Sequence, residues 1–301
     1  MTPNPPTSPS VGTAHERLLH SGSYLGDASI CANFQWLHEG RGHMLVHVPE
    51  AASEVIPLSL PKDPAILSAI VRIDRDDFWL MADGGYHGPN KVCKDILDVK
   101  PSCALSDPGF EPVMSDFPIV LQTLEQFTQR CVTLGFSSGK SFFSIDHNGL
   151  SCFKLRHKLF EVHSHRPGTS HSLLAGEPFS FEHWPLTKER NHAELLALKN
   201  TYRILPPTDY ISRLPLPAYN VTGDLIQPSA YRHSLQGAVA EIHFNLLHWG
   251  IGGAKHNVYG GRIVLICVLV PPTPQSTAGK KRGLPLHLDT DVTPSYKCAR
   301  I

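Results

Sequence analysis

The side chains in this sequence best suited to chemistry are its 18 histidines. Neutral imidazole is the commonest protein ligand for transition metals, so histidines that share one face of a strand are the first place to look for a metal. His163-Ser164-His165 is such a pair, with both rings on the face opposite Phe160 and Val162. His43 and His47 share a strand face in the same way. Among 18 histidines an H-x-H spacing also arises by chance. Arg166-Pro167 then follows where a binuclear hydrolase would continue with an Asp-His pair. His287-Leu288-Asp289 has the outline of two legs of an iron facial triad, but no later histidine supplies the third. His163, His165, His43 and His47 are therefore the metal candidates, and solvated or core-satisfied imidazoles are the competing account.

Other patterns exclude more than they suggest. Gly135-Phe136-Ser137-Ser138-Gly139-Lys140-Ser141 resembles a phosphate loop one residue short. Such a loop must be followed by a helix whose N-terminus faces the phosphate. Here a helical pattern precedes it and the strand-like Phe142-Phe143-Ser144-Ile145 follows, so nucleotide hydrolysis is rejected. There is no G-x-S-x-G elbow, and Cys152 and Cys31 fall on strand-like segments with no activating neighbour. Asp74, Asp76, Asp77 and Asp83 crowd one segment, where a charged turn explains them as well as a divalent cation does. No cofactor is expected, and whether the protein is an enzyme stays open.

The remaining chemistry is that of a binding surface. Single-stranded nucleic acid is held by aromatic rings that stack on bases and by basic side chains that follow the backbone. Tyr202, Arg203, Tyr231, Arg232, Trp249, Lys255, Tyr259 and Arg262 supply both kinds of group. Against this, aromatics in strands are mostly core residues. The 27 basic and 27 acidic residues also cancel to zero net charge, which excludes a uniformly basic nucleic-acid glove.

The elements that must position these residues are mostly strands. Ser29–Leu37 and His43–Val48 flank a glycine turn, and Ile66–Ile73 and Phe78–Ala82 flank the aspartates, so each pair reads as a hairpin. Phe142–His147 and Leu150–Arg156 flank Asn148-Gly149, the strongest hairpin signal in the chain, with Lys158–His165 expected as the next strand of that meander. Val120, Leu124, Phe127, Cys131 and Leu134 make one apolar helical stripe, with Pro118 in the first turn and Gly135 after the end. Weaker helices are expected over Thr187–Lys199 and Ser229–Gln236. Between them lies a proline-rich excursion, Pro206–Pro228, with an extra strand near Tyr202–Leu205 just before it. Ala238–Leu247 alternates as a half-buried strand, and Ile263–Val270, apolar on both faces, reads as a central one. From residue 141 onward this order is compatible with the β-β-β-α-β-β order of an OB-fold barrel.

The segments Thr201-Tyr202-Arg203-Ile204-Leu205-Pro206-Pro207, Gly237-Ala238-Val239-Ala240-Glu241-Ile242-His243-Phe244 and Arg262-Ile263-Val264-Leu265 faintly resemble uncharacterised proteins of mushroom-forming fungi. The resemblance spans about residues 201–272, carries no catalytic signature and implies no activity.

The ends read as loose. Residues 1–22 are expected to be a disordered leader and 273–301 a flexible tail, because neither has an apolar period. The N-terminus lacks the basic-then-apolar block of a secretory signal, and the longest apolar run, Ile263–Val270, is far too short for a membrane helix. Seven cysteines without a C-x-x-C then suit reduced thiols in the cytoplasm or nucleus. Cys298-Ala299-Arg300-Ile301 has Arg300 where a prenylation box needs an aliphatic residue, and Lys280-Lys281-Arg282 is short for a nuclear address. The reading is a β-dominated α+β protein of antiparallel hairpins and meanders, with an N-terminal β-rich lobe (23–135) and a C-terminal OB-like lobe (136–272). It is a non-enzymatic binding module, with single-stranded nucleic acid the leading ligand and no membrane partner. The alternatives are a metal-dependent enzyme built on strand-borne histidines and a protein–protein interaction scaffold. The sequence leaves the oligomeric state open.

Overall fold

A computed structural model describes residues 10–48, 63–91, 93–139, 142–146, 148–164, 184–186, 188–204, 209–213, 215–253 and 255–273. In chain order its elements are α1 (Val11–Leu19), β1 (Phe34–Glu39), β2 (Gly42–His47), β3 (Leu67–Phe78), β4 (Ser102–Ser106), α2 (Val113–Gln129), β5 (Ser137–Ser138), β6 (Phe143–Ile145), β7 (Ser151–Arg156), β8 (Phe160–Ser164), α3 (Glu189–Ile204), β9 (Asp209–Arg213), β10 (Ala218–Tyr219), α4 (Tyr231–Leu235), β11 (Val239–Ile251) and β12 (His256–Val270).

Five of these strands close on themselves. β3 pairs antiparallel with β4, and β4 antiparallel with β7. β7 runs parallel to β12, β12 antiparallel to β11, and β11 antiparallel to β3. A three-strand meander whose third strand runs parallel to the fifth, with the fourth returning to the first, is a five-stranded Greek-key barrel of the OB type. Closure leaves the barrel no bare edge along this circuit. Its interior is filled by the alternate residues Val71 and Ile73, Cys103 and Leu105, Phe153 and Leu155, and Ile242 and Phe244, with the β12 partners of the last pair, Ile266 and Ile263, set three apart by a shift in register, all buried. Gly261 is dictated by this packing: a Cβ there would lie 2.1 Å from Cδ2 of Leu155, where the parallel strands meet. The barrel takes β3 and β4 from before residue 136, so it spans both expected lobes rather than the C-terminal half alone.

Several local expectations change for identifiable reasons. The aspartate segment is no hairpin turn. β3 runs on through it as one 12-residue strand, and Oδ1 of Asp74 accepts hydrogen bonds from the N–H groups of Asp76 and Asp77 where the pairing with β4 slips. Asn148-Gly149 does turn β6 into β7, with Gly149 at φ 81°. β8, however, leaves the meander and pairs with β9 in a separate two-stranded sheet. Helix α2 starts before the expected stripe and ends at Gln129, so Val120, Leu124 and Phe127 are buried in the helix, Cys131 just beyond it, and Leu134 is 92% exposed. Pro118 lies inside this helix rather than in its first turn. Helix α3 continues to Ile204, which replaces the extra strand expected near Tyr202–Leu205.

The expected leader is corrected over its described part. Ser10 caps α1 by accepting from the N–H of Thr13, and Ala14 and Leu18, one turn apart, pack against Tyr24, Ile70 and Val239 on the outside of the sheet. Arg17 also pairs with Glu241, which is only 2% exposed and bonded to His243. Burial alone would raise this carboxyl; His243 and Arg17 outweigh it and hold Glu241 below its usual range. Leu18→Ala is therefore expected to cost about 2–4 kcal/mol in denaturant unfolding, whereas a free leader would show no change. Residues 1–9 of the leader and 274–301 of the tail lie outside the described residues. Among those described, no helix is long and apolar enough to cross a membrane.

Candidate nucleic-acid interface

The outward face of β7, β12 and β11 is built by strand alternation. On β7, Phe153 and Leu155 point inward, so Lys154 and Arg156 point outward. The register sets Ser102, Arg156 and Arg262 side by side across β4, β7 and β12, with Asn245 of β11 opposite Arg262. Two arginines thus occupy one row of the sheet. Trp249 of β11 lies on the same face, and glycines floor it: a Cβ at Gly260 would lie 3.1 Å from its Cζ3 and one at Gly42 would lie 2.9 Å from its Nε1. The indole therefore extends along the sheet surface, half-buried, between the two glycines. The same point above Gly260 lies 3.8 Å from Nε of Arg156, so ring and guanidinium border the same glycine.

Arg156 is half-buried and makes no hydrogen bond or ion pair among the described residues. Burial pulls its pKa below the usual guanidinium value, the direction expected of a cation short of solvent. Arg262 is exposed. Lys154, by contrast, is engaged by Asp77. Asp74, Asp76, Asp77 and Asp146 gather around an open 350 Å³ depression with Trp79, which makes that end of the face acidic.

The eight residues named from the sequence are dispersed. Trp249, Lys255 and Arg262 share the β11–β12 hairpin, with Lys255 exposed at its turn at φ 48°. Tyr259, expected to stack on a base, is 4% exposed, and its hydroxyl serves the carbonyls of Thr128 and Cys131 at 2.8 Å, closing the end of α2. Tyr231 is 1% exposed, and its oxygen accepts from the N–H of Leu216. Both rings are core residues out of reach of a base. Arg232 is exposed beside Arg75 and His233, in an open groove of 760 Å³ at the opposite end of β11, roughly 30 Å from Trp249. Tyr202 and Arg203 fall in α3, with side chains outside the described residues. Lys154 and Arg156 were missed, although their alternation with Phe153 and Leu155 marks them as an outward basic pair.

The metal candidates divide in the same way. His165 and the side chain of His163 lie outside the described residues. His47 is exposed and packs its ring against Phe34 at 4.6 Å, and it belongs to no cluster of ligand groups among the described residues. His43 instead meets two residues that the sequence did not suggest, Cys131 and His248. Nδ1 of His248 is 3.3 Å from both Nδ1 of His43 and Sγ of Cys131. Desolvation, aided by His248 and His38, lowers the His43 pKa, while burial pushes the Cys131 thiol up to about 11. Both shifts describe the cluster without a cation, whose charge would reverse them.

No family model matches this chain, and no curated protein matches it. Among solved structures, the chain is similar to gp2.5, a single-stranded DNA-binding protein of bacteriophage T7, at 10% identity and a TM-score of 0.39 over 72% of this chain and 97% of that one. A single-stranded DNA-binding protein of bacteriophage Enc34 is similar at 9% identity and a TM-score of 0.36, over 80% and 98%. At these scores the fold assignment stands on the strand pairing itself.

Proposed function

We propose that this protein is a binding module for single-stranded nucleic acid, held across the outward face of β7, β12 and β11. The observation that carries the reading is Arg156, a half-buried guanidinium without a partner among the described residues, set beside Arg262 and bordering the same glycine, Gly260, as the indole of Trp249. A desolvated arginine wants a multidentate anion, and a phosphate presents one. A flat ring beside it accepts the base attached to that phosphate. Zero net charge is no obstacle, because the cations concentrate on one face while Asp74, Asp76, Asp77 and Asp146 exclude the strand from its other end. OB barrels bind oligonucleotides around their second and third strands, here β4 and β7, and the proposed face shares only β7 with that region because the aspartates crowd the β4 side.

The test is the salt dependence of binding to a fluorescent oligonucleotide of about 20 nucleotides, titrated between about 50 and 200 mM salt. Arg156→Ala and Arg262→Ala should each flatten the slope of log affinity against log salt by about 0.7, one single-strand phosphate each. Arg232→Ala, at the distant groove, should leave the slope unchanged. Wild-type protein that fails to shift the oligonucleotide at about 50 mM salt overturns the proposal.

A further inference from the structure

The contacts around His248 cannot all be satisfied by hydrogen bonds. Its Nε2 lies 3.0 Å from Oδ1 of Asn257. That amide is itself fixed, because Oδ1 accepts from the N–H of Thr133 at 2.8 Å and Nδ2 donates to the carbonyl of Phe136 at 3.2 Å. Asn257 therefore presents an acceptor, Nε2 of His248 carries the proton, and Nδ1 carries the ring's one free lone pair. Both Sγ of Cys131 and Nδ1 of His43 sit 3.3 Å from that atom. One in-plane lone pair cannot take both donors. A cation accepting a lone pair from each of the three groups removes the conflict.

We infer that His43, Cys131 and His248 form a binding site for a zinc-class divalent ion. Their three ligand atoms lie within 4.8 Å of one another, and two of the three separations are 3.3 Å. Metal–nitrogen bonds of about 2.0–2.1 Å and a metal–sulfur bond of about 2.3 Å in a tetrahedron separate these ligand atoms by about 3.3–3.6 Å, so small rotations of the side chains seat the ion. Two imidazoles and one sulfur suit a borderline-soft metal and disfavour magnesium or calcium. Asn257 plays the outer role usual for a metal-bound histidine, holding the distal N–H and thereby the tautomer. His248 and Cys131 are buried while His43 is half-exposed, which leaves the fourth position facing solvent on the His43 side. The three ligands come from β11, the end of α2, and β2, so a bound ion staples the β1–β2 hairpin and the helix to the barrel. This reading is independent of nucleic-acid binding.

The test uses full-length protein stripped with a chelator under a phosphine reductant, then titrated with cobalt(II). The expected result is one equivalent of cobalt bound, with a sulfur-to-cobalt charge-transfer band and the intense visible bands of a four-coordinate ion, all erased by one equivalent of zinc. Zinc should also raise the melting temperature of the stripped protein. Cys131→Ser should abolish the charge-transfer band, and His43→Gln, at a half-exposed position that tolerates change, should weaken zinc binding by more than about tenfold. Absence of the band in wild-type protein overturns the inference whether or not the variants fold. So does a band retained in Cys131→Ser, or zinc affinity unchanged in His43→Gln.

Discussion

Phe127→Ala is expected to lower the stability of the protein by about 3–5 kcal/mol in denaturant unfolding. Phe127 is fully buried in the last turn of α2 and meets Phe34 edge-on at 5.7 Å, so it joins the helix to the β1–β2 hairpin as well as to the barrel. Its carbonyl also accepts the indole N–H of Trp36 at 2.9 Å, which fixes the helix end in place around the ring. Tyr259 holds the next carbonyls, so the surroundings are tied at several points and have little freedom to collapse into the space the ring leaves. A cavity that cannot close puts the cost at the upper part of the range. Set against a typical total of about 5–15 kcal/mol, the loss is a large fraction of what keeps a domain folded. Gln122→Ala, on the exposed face of the same helix, is the control and should be neutral within about 0.5 kcal/mol. Equal losses from the two substitutions would show that the helix packs in a different register.

Trp249→Ala is expected to weaken binding of single-stranded nucleic acid by about 1–3 kcal/mol, roughly 5- to 150-fold, with the salt slope nearly unchanged. Stacking energy comes from ring contact and carries no counterion, so it separates cleanly from the arginine substitutions, which change the slope. Trp249→Phe should recover much of the loss because a smaller ring still stacks. Stability should fall little in either variant, since Trp249 lies on the outward face over glycines rather than in the barrel interior. A Trp249→Ala protein that binds as tightly as wild type in the same titration would remove the indole from the interface. Tyr259→Ala is not an equivalent test, because that hydroxyl closes α2 and its loss would unfold the region instead of probing a base contact.

The metal inference and the nucleic-acid proposal meet at two consecutive residues. His248 faces the cluster and Trp249 the outward surface, while Gly42 and His43 repeat the arrangement on the neighbouring strand. An ion at the cluster would hold β2 against β11 and thereby steady the glycine flank of the indole. Each reading nonetheless has a readout the other does not move, since cobalt spectra are blind to the oligonucleotide and salt slopes are blind to the ion.

The sequence by itself determined what local periodicity can encode. Alternation in Ala238–Leu247 placed Ala240, Ile242, Phe244 and Leu246 on one face, and all four are fully buried. Asn148-Gly149 specified its turn because the chain there needs a residue at positive φ. The stripe through Val120, Leu124 and Phe127 located α2, and the strand-rich pattern yielded the fold class, a β-dominated α+β protein with an OB-type barrel. Tertiary structure decided the rest. Which strands close the barrel depends on pairings between segments far apart in sequence, such as β3 with β11 and β7 with β12, and no local pattern names its partner. That is why the barrel crosses the expected lobe boundary. Burial of Tyr231 and Tyr259 was equally hidden, because an aromatic on a strand or short helix looks the same whether its ring meets a base or closes a neighbouring helix. His43, Cys131 and His248 show the reason most directly. They are separated by 88 and 117 residues, counted from their numbers, and share no motif. They meet only because β2 pairs with β11 at His43 and His248 while α2 ends above that pair.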